Sequence, residues 1–294
     1  MNHDLTLVHP THLEPSTLDA AMDVLRTAEA RAGEARRSDS GRAYRLPFET
    51  STPEPLETLE RTLRSTLDVR GVDFAIQATD RPRPRLLVAD MESTVIANEM
   101  LDELADWVGK RAEVAEITER AMNDELDFHA AIRERVALLG GLAVGVLEEA
   151  AERMTIDPGA QALVDTLGRH GVRTVLCSGG FGFFAGRVAE CLGFDAWRAN
   201  TFEIVDGHLT GRVVEPILDR DAKVETLRHH CAELGIEPAA ATAVGDGAND
   251  LPMLHLAGLG VAFHAKPAVL EAAQSSIRHG DLSTLGYFMG FDGT

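Results

Sequence analysis

From Asp157 onward the chain alternates short apolar runs with amphipathic ones, and this alternation limits the fold more than any other feature. ALVDTLGRHG reads as a helix, VRTVLCSGG as a strand, FFAGRVAECLG and AKVETLRHHCAELG as helices, and TAVGDGAND and GLGVAF as strands. A strand that is apolar along its whole length is buried on both faces, and the helices between strands supply the covers. The pattern therefore predicts an α/β protein built on a parallel sheet. RLLVAD, residues 85–90, has the same character and predicts one more strand. In WRANTFEIVDGHLTGRVVEP, Asp206-Gly207 stands between strand-like flanks, which signals a hairpin.

Two stretches depart from the alternation. From Asn98 to about Met154 the pattern is helical only, in NEMLDELADWVG, KRAEVAEITERAMN, LDFHAAIRERVALLGG and LAVGVLEEAAERM, which predicts a four-helix insertion ended by Asp157-Pro158-Gly159. Asn98 is placed to cap the first of these helices. Before residue 80, LTLV, DAAMDVLRTAEA, ARRSDSGRAYRLPFE, PLETLERTLRSTL and VDFAIQA read as strand, helix, strands, helix, strand. That order suits a small ferredoxin-like (ACT-like) α+β module. Modules of this kind bind amino acids in some proteins, but no ligand-binding signature stands out here, and packing or homodimerisation is the alternative role. RPRPR, residues 81–85, reads as a linker. The expected division is 1–80 for the module, 81–97 with 155–294 for the α/β core, and 98–154 for the helical insertion.

At 294 residues and 45% apolar content the chain is long enough for two domains or for one large domain with an insertion. Asp plus Glu number 47 against 28 Lys plus Arg, a net charge of -19, so its field repels nucleic acid and anionic membranes, and neither is an expected partner. A small anionic substrate would need local help from a metal cation, a lysine, an arginine or backbone amides. Cys177, Cys191 and Cys231 have no metal-ligand spacing, and the N-terminus lacks the basic region and apolar core of a signal peptide. With no apolar run of membrane-spanning length, the expectation is a soluble, unprocessed cytoplasmic protein.

In an open parallel sheet, ligands gather beyond the carboxyl ends of the strands. RLLVAD ends at Asp90, VRTVLCSGG at Ser178-Gly179, and TAVGDGAND at Asp246, Asn249 and Asp250. Three carboxylates together repel one another unless a cation sits among them, and hard oxygen ligands suit Mg2+. Lys223, at the start of a helix, adds a fixed positive charge, and Ser178 with the amides after it can hold a phosphoryl oxygen. The set reads as phosphoryl transfer with an aspartate nucleophile. Taken singly, each residue has an ordinary role as turn acid, cap or surface lysine, so the reading rests on their occurrence in order at one sheet edge. The histidines His9, His12, His229, His230, His255 and His264 show no spacing that forms a transition-metal site.

The order Asp90-Met-Glu-Ser-Thr, Ser178-Gly179, Lys223, then Gly245-Asp246-Gly-Ala-Asn249-Asp250 resembles the haloacid dehalogenase (HAD) superfamily of phosphatases over roughly residues 85–290. The resemblance implies a HAD-like Rossmannoid parallel sheet with a helical cap insertion, here preceded by the ACT-like module. It implies that Asp90 is the nucleophile, that Lys223 orients and neutralises it, and that Ser178 and Gly179 bind phosphate. Asp90, the acidic loop of Asp246 and Asp250 and the backbone carbonyl of Glu92 would hold Mg2+, with Asp246 the direct ligand of that loop and Asn249 in support. Within the superfamily the pattern most resembles the branch that hydrolyses O-phospho-L-serine to L-serine and phosphate, the closing step of serine synthesis. On that likeness Glu99 receives the substrate ammonium, Arg135 grips its carboxylate, and Met122 and Phe128 close the pocket. One position departs from the family: Glu92 stands where Asp is usual, and its longer side chain must fold back to act as general acid and then base. Transfer to another amino alcohol, hydrolysis of another small phosphate monoester, or amino-acid sensing by a slow phosphatase remain alternatives at this point.

Overall fold

The apolar run Leu86–Ala89 is buried on both sides. Leu87 and Ala89 pack in one cluster with Leu176 and Val244, while Leu86 and Val88 pack in another with Val175, Leu227 and Met253. Successive residues of a strand point to opposite faces, so this run lies at the centre of a sheet covered twice. The computed structural model describes residues 2–50, 56–122 and 125–291. The chain opens with β1 (Asn2–Val8), α1 (Pro15–Thr27), β2 (Ala30–Ala32), β3 (Arg36–Arg37), β4 (Ala43–Thr50), α2 (Leu56–Leu67) and β5 (Asp73–Ala78). The central strand β6 (Leu86–Ala89) follows, then four helices, α3 (Met100–Trp107), α4 (Arg111–Met122), α5 (Phe128–Ala137) and α6 (Val144–Ala151). The remainder alternates through α7 (Ala160–Arg169), β7 (Arg173–Phe181), α8 (Gly182–Leu192), β8 (Ala196–Val205), β9 (His208–Val214) and α9 (Arg220–Leu234). It ends with β10 (Ala241–Gly245), α10 (Leu251–Leu256), β11 (Leu259–Phe263), α11 (Pro267–Ala272), β12 (Ser275–Ile277) and α12 (Ser283–Phe288).

The strand order is β2-β4-β1-β5-β12-β11-β10-β6-β7-β8-β9, with β3 paired to β4. From β12 to β8 every neighbour is parallel. The hairpin of β8 and β9 turns at Asp206 and Gly207, whose φ values of 47° and 75° are those a tight hairpin turn requires. Among the described residues no helix is long and apolar enough to cross a membrane.

The first five strands form an antiparallel sheet over a core of their own, which includes Leu5, Leu25, Leu46, Phe48 and Leu63. Local pattern gives no hint that this sheet continues into the parallel one. It does so where β5 pairs antiparallel with β12 at Phe74 and Ser276. Asp73 fastens the seam by accepting the backbone N–H groups of Arg278 and Gly280, both at 2.7 Å, and Arg64 donates to Ser276 Oγ at 2.8 Å. The RPRPR stretch belongs to this seam and is not a free linker. Arg81 is half-buried and donates to the Phe288 carbonyl at 3.0 Å, and Pro84 is buried.

The four helices α3 to α6 leave and rejoin the core through paired extended segments. Ala97 N–H donates to Thr155 O at 2.8 Å and Asp157 N–H to Val95 O at 2.9 Å. Asn98 does not cap α3, because Glu99 occupies the N-cap position. Its amide bridges the two segments instead: Oδ1 accepts Thr155 N–H at 2.7 Å and Nδ2 donates to Glu103 Oε1 at 3.0 Å. At the far side the β8–β9 hairpin props the helices through Gly141 N–H to Leu209 O at 2.8 Å and Val144 N–H to Gly207 O at 2.9 Å.

Candidate active site

Asp90 is the first residue past β6 and donates its N–H to Val244 O of β10 at 2.9 Å, which fixes its height at the sheet edge. Asp219 caps α9, its Oδ1 accepting Asp221 and Ala222 N–H at 2.9 and 3.3 Å, and so sets where Lys223 enters the site. The buried Lys223 Nζ lies 2.9 Å from Asp90 Oδ1 and 2.5 Å from Asp250 Oδ1. Asp250 folds back beneath the loop, its Oδ2 accepting Gly247 N–H at 3.0 Å. It has room because residue 245 is glycine: a Cβ there would fall 2.4 Å from Asp250 Cγ. Asp246 accepts the Thr94 hydroxyl at 3.4 Å.

One oxygen each from Asp90, Asp246 and Asp250 lies within 4.8 Å of the others. Burial and the neighbouring Asp250 push the Asp90 acid well up against the opposing pull of Lys223, and burial with the same neighbour raises Asp246 to about 6. Burial alone would lower the Lys223 ammonium, but Asp90 and Asp250 outweigh it and hold its proton firmly. Three acids against one ammonium leave uncompensated repulsion in a poorly hydrated place, and every donor is a carboxylate oxygen. Such a set fits a hard divalent cation.

The Ser178–Gly179 loop runs off β7. Ser178 is buried and its Oγ accepts Gly180 N–H at 2.9 Å. Asn200 of β8 clamps this loop: Nδ2 donates to Gly179 O at 2.8 Å and to Leu218 O at 3.2 Å, and Oδ1 accepts Leu218 N–H at 2.7 Å. Sequence reasoning missed Asn200, whose one local signal is a lone amide inside a strand.

Glu92 meets its extra methylene with the glycine opposite. Its carboxyl lies where a Cβ on Gly180 would approach Oε2 to 2.5 Å, and Oε1 accepts Met100 N–H at 2.9 Å. Burial and the charge of Glu99 raise it to about 7. Between pH 4.5 and about 7 the folded chain therefore keeps a proton at Glu92 that the unfolded chain has released, so the stability of metal-free protein falls as pH rises through that window. Glu92→Gln is expected to stabilise metal-free protein by about 1–3 kcal/mol at pH 8, a gain that vanishes near pH 4.5. Urea titrations of both proteins in a chelator check this.

Glu99 opens α3, and its Oε1 accepts the Ser93 hydroxyl at 2.7 Å. Phe128 begins α5 beside the capping Asp127, and its ring edge lies 3.6 Å from where a Cβ on Gly179 would stand. Arg135, in the last turn of α5, lies 4.0 Å from Asp102, and its Nε is buried with no hydrogen-bond partner among the described residues. A cavity of about 390 Å³ is lined by Asp90, Glu92, Glu99, Phe128, Arg135, Ser178, Gly179, Asp246 and Asn249, with Leu101, Ala131 and Ile132 on its helical roof. Lys223 and Asp250 do not line this cavity, and Lys223 bridges Asp90 to Asp250. Met122 ends α4, and its side chain lies outside the described residues. His229 and His230 lie away from the cavity, where both pair with Glu233 on α9.

Asp90 beside its lysine is arranged as a carboxylate nucleophile, and the acids and amides around it are arranged to hold a phosphoryl group next to a cation. This defines an aspartate-based phosphohydrolase on a Rossmann-like sheet. The sequence profile of the haloacid dehalogenase-like hydrolases matches residues 87–255. A phosphoserine phosphatase of Streptomyces coelicolor is 44% identical over 239 residues, 81% of this chain and 58% of that one. One from a Polaromonas species is 46% identical over 207 residues, 68% of this chain and 88% of its own. Among solved structures, a probable phosphoserine phosphatase from Vibrio cholerae, in unliganded form, superposes with a TM-score of 0.82 at 33% identity, covering 98% of this chain and 86% of that one. A phospho-aspartyl intermediate analogue of phosphoserine phosphatase superposes at 0.66 with 37% identity, covering 70% of this chain and 99% of its own. The chain belongs to the haloacid dehalogenase-like hydrolases and, within them, to the phosphoserine phosphatases.

Proposed function

We propose that the chain hydrolyses O-phospho-L-serine to L-serine and phosphate with Mg2+ as its cation. The observation that carries the substrate is the pairing of opposite charges on the roof of one cavity. Arg135, with its buried and unpartnered Nε, suits a carboxylate, and Glu99 suits an ammonium, while the Ser178 loop and Asp90 face them from the sheet edge. An α-amino acid carrying a phosphate ester on its side chain satisfies all three.

In the first step an Asp90 carboxylate oxygen attacks phosphorus and the bond from phosphorus to the seryl oxygen breaks, giving an aspartyl phosphate. Glu92, about half protonated near pH 7, gives its proton to the departing seryl oxygen. Glu92 then takes a proton from water attacking the phosphorus, the acyl–phosphate bond breaks, and Asp90 is regenerated. Lys223 opposes the burial and the neighbouring acids that favour protonated Asp90, and it offsets the charge that builds on the phosphoryl group. Asp90, Asp246, Asp250 and the carbonyl of Glu92 would hold Mg2+, which supplies positive charge to the phosphoryl oxygens and lowers the repulsion among the acids. The helical roof limits access of stray water. The same reading divides the chain into an ACT-like module at 1–80, a catalytic core at 81–97 and 155–294, and a cap at 98–154.

Phosphate release from L-phosphoserine, phosphothreonine and p-nitrophenyl phosphate tests the substrate. Preference for phosphoserine that needs Mg2+ is the expected result, and equal turnover of all three would remove the cap assignment. Arg135→Lys, which replaces a planar fork with a point charge, is expected to raise KM for phosphoserine roughly 10- to 100-fold with kcat little changed. Steady-state kinetics over a wide substrate range check it.

A further inference from the structure

The turn that follows Asp90 contains one residue whose backbone and side chain are both unusual. Thr94, Val95 and Ile96 N–H groups all point to the Met91 carbonyl, at 3.3, 2.8 and 2.9 Å, which winds the chain into a single tight turn. The turn closes only because Ser93 adopts φ of 55°, in the left-handed region that a non-glycine residue rarely occupies. Glycine would occupy that region without cost, so the side chain at this position calls for a reason. In this conformation the Ser93 hydroxyl reaches Glu99 Oε1 at 2.7 Å. The Glu99 carboxylate has no other hydrogen bond or ion pair among the described residues, and Glu99 is exposed at the N-cap of α3, where a glutamate side chain otherwise samples many rotamers.

We infer that Ser93 is a specificity-positioning residue: its hydroxyl holds one oxygen of Glu99 so that the other faces the substrate ammonium. A carboxylate held in one rotamer before binding gives up less freedom when the ammonium arrives. The hydroxyl bonds to Glu99 and Ser93 does not line the cavity, so it acts on recognition of the amino group through Glu99. This inference rests on the reading of Glu99 as the ammonium acceptor.

The test compares two esters, O-phospho-L-serine and the phosphate ester of 3-hydroxypropanoate, which is the same molecule with hydrogen in place of the ammonium. The quantity read is the ratio of their kcat/KM values in wild type, Glu99→Gln, Ser93→Gly and Ser93→Asn. Ser93→Gly keeps the left-handed backbone and removes the hydroxyl, while Asn tolerates that backbone and restores a donor. Wild type should prefer phosphoserine strongly and Glu99→Gln should lose most of the preference. Ser93→Gly should lose about tenfold of it, the usual worth of one hydrogen bond to a charged group, with Ser93→Asn recovering part. Equal losses on both esters in Ser93→Gly, or a ratio unchanged from wild type, would overturn the role of Ser93 while leaving Glu99 in place. A wild type that does not distinguish the esters, or a Glu99→Gln that distinguishes them as well as wild type, would overturn the underlying assignment instead.

Discussion

Asp90→Asn is expected to lower phosphate release from phosphoserine on the order of 10⁴-fold or more, since on the proposed mechanism the change removes the nucleophile and leaves only binding and electrostatic help. Asparagine has nearly the same shape, so the strand end, the Val244 hydrogen bond and the cavity lining remain. Its amide is neutral and a poor nucleophile. A neutral amide meets neither the burial cost nor the Asp250 repulsion that together hold Asp90 well up its scale, so the metal-free variant should unfold no more easily than wild type. The check is a phosphate-release assay alongside urea unfolding of the same preparation. A folded variant that retains more than a tenth of the wild-type rate would remove Asp90 from the nucleophile's role.

Glu92→Gln is expected to reduce kcat for phosphoserine roughly 10²- to 10⁴-fold with KM nearly unchanged, the range that general acid and base help commonly supplies. Glutamine fills the same space against Gly180 and still accepts the Met100 N–H, so geometry is preserved while the proton is lost. The two chemical steps should then separate according to the leaving group. A seryl oxygen must be protonated as it departs, so the first step is slowed. p-Nitrophenolate departs without a proton, so with that ester the first step stays fast and the second, which needs Glu92 as base, becomes limiting. Rapid mixing of Glu92→Gln with p-nitrophenyl phosphate should therefore show a burst of about one p-nitrophenolate per active site. Turnover of both esters at the wild-type rate would exclude Glu92 as acid and base. Glu92→Asp is the companion variant, expected to stay active because it restores the shorter acid of the family pattern.

The relative weight of sequence and structure can be seen residue by residue. RLLVAD is legible as a buried central strand because it is apolar on both faces, and Asp206-Gly207 is legible as a hairpin because few other pairs accept two positive φ values. Asp90, Ser178, Asp246 and Asp250 are legible as a site because parallel strands all end at one edge, so polar residues at strand ends must meet. Asn98 was legible only as a helix cap, yet its amide ties the two segments that join the helical roof to the core. RPRPR was legible only as a linker, yet Arg81 donates into the last helical segment some 200 residues away in sequence.

What the sequence determined by itself is therefore whatever depends on periodicity and on the strand-end rule: the parallel sheet, the helical roof above it, and the gathering of acids and a serine at one sheet edge. Only the tertiary structure decided the continuity of the sheet through β5 and β12, the clamp of Asn200 on the Ser178–Gly179 loop, the seat of Glu92 against Gly180 and the hydroxyl of Ser93 on Glu99. Periodicity is a property of residues three or four apart and reports which face is buried. A hydrogen bond across the fold, or an unusual φ at one serine, depends on where a particular atom lands after every element has packed, and no local pattern carries that information.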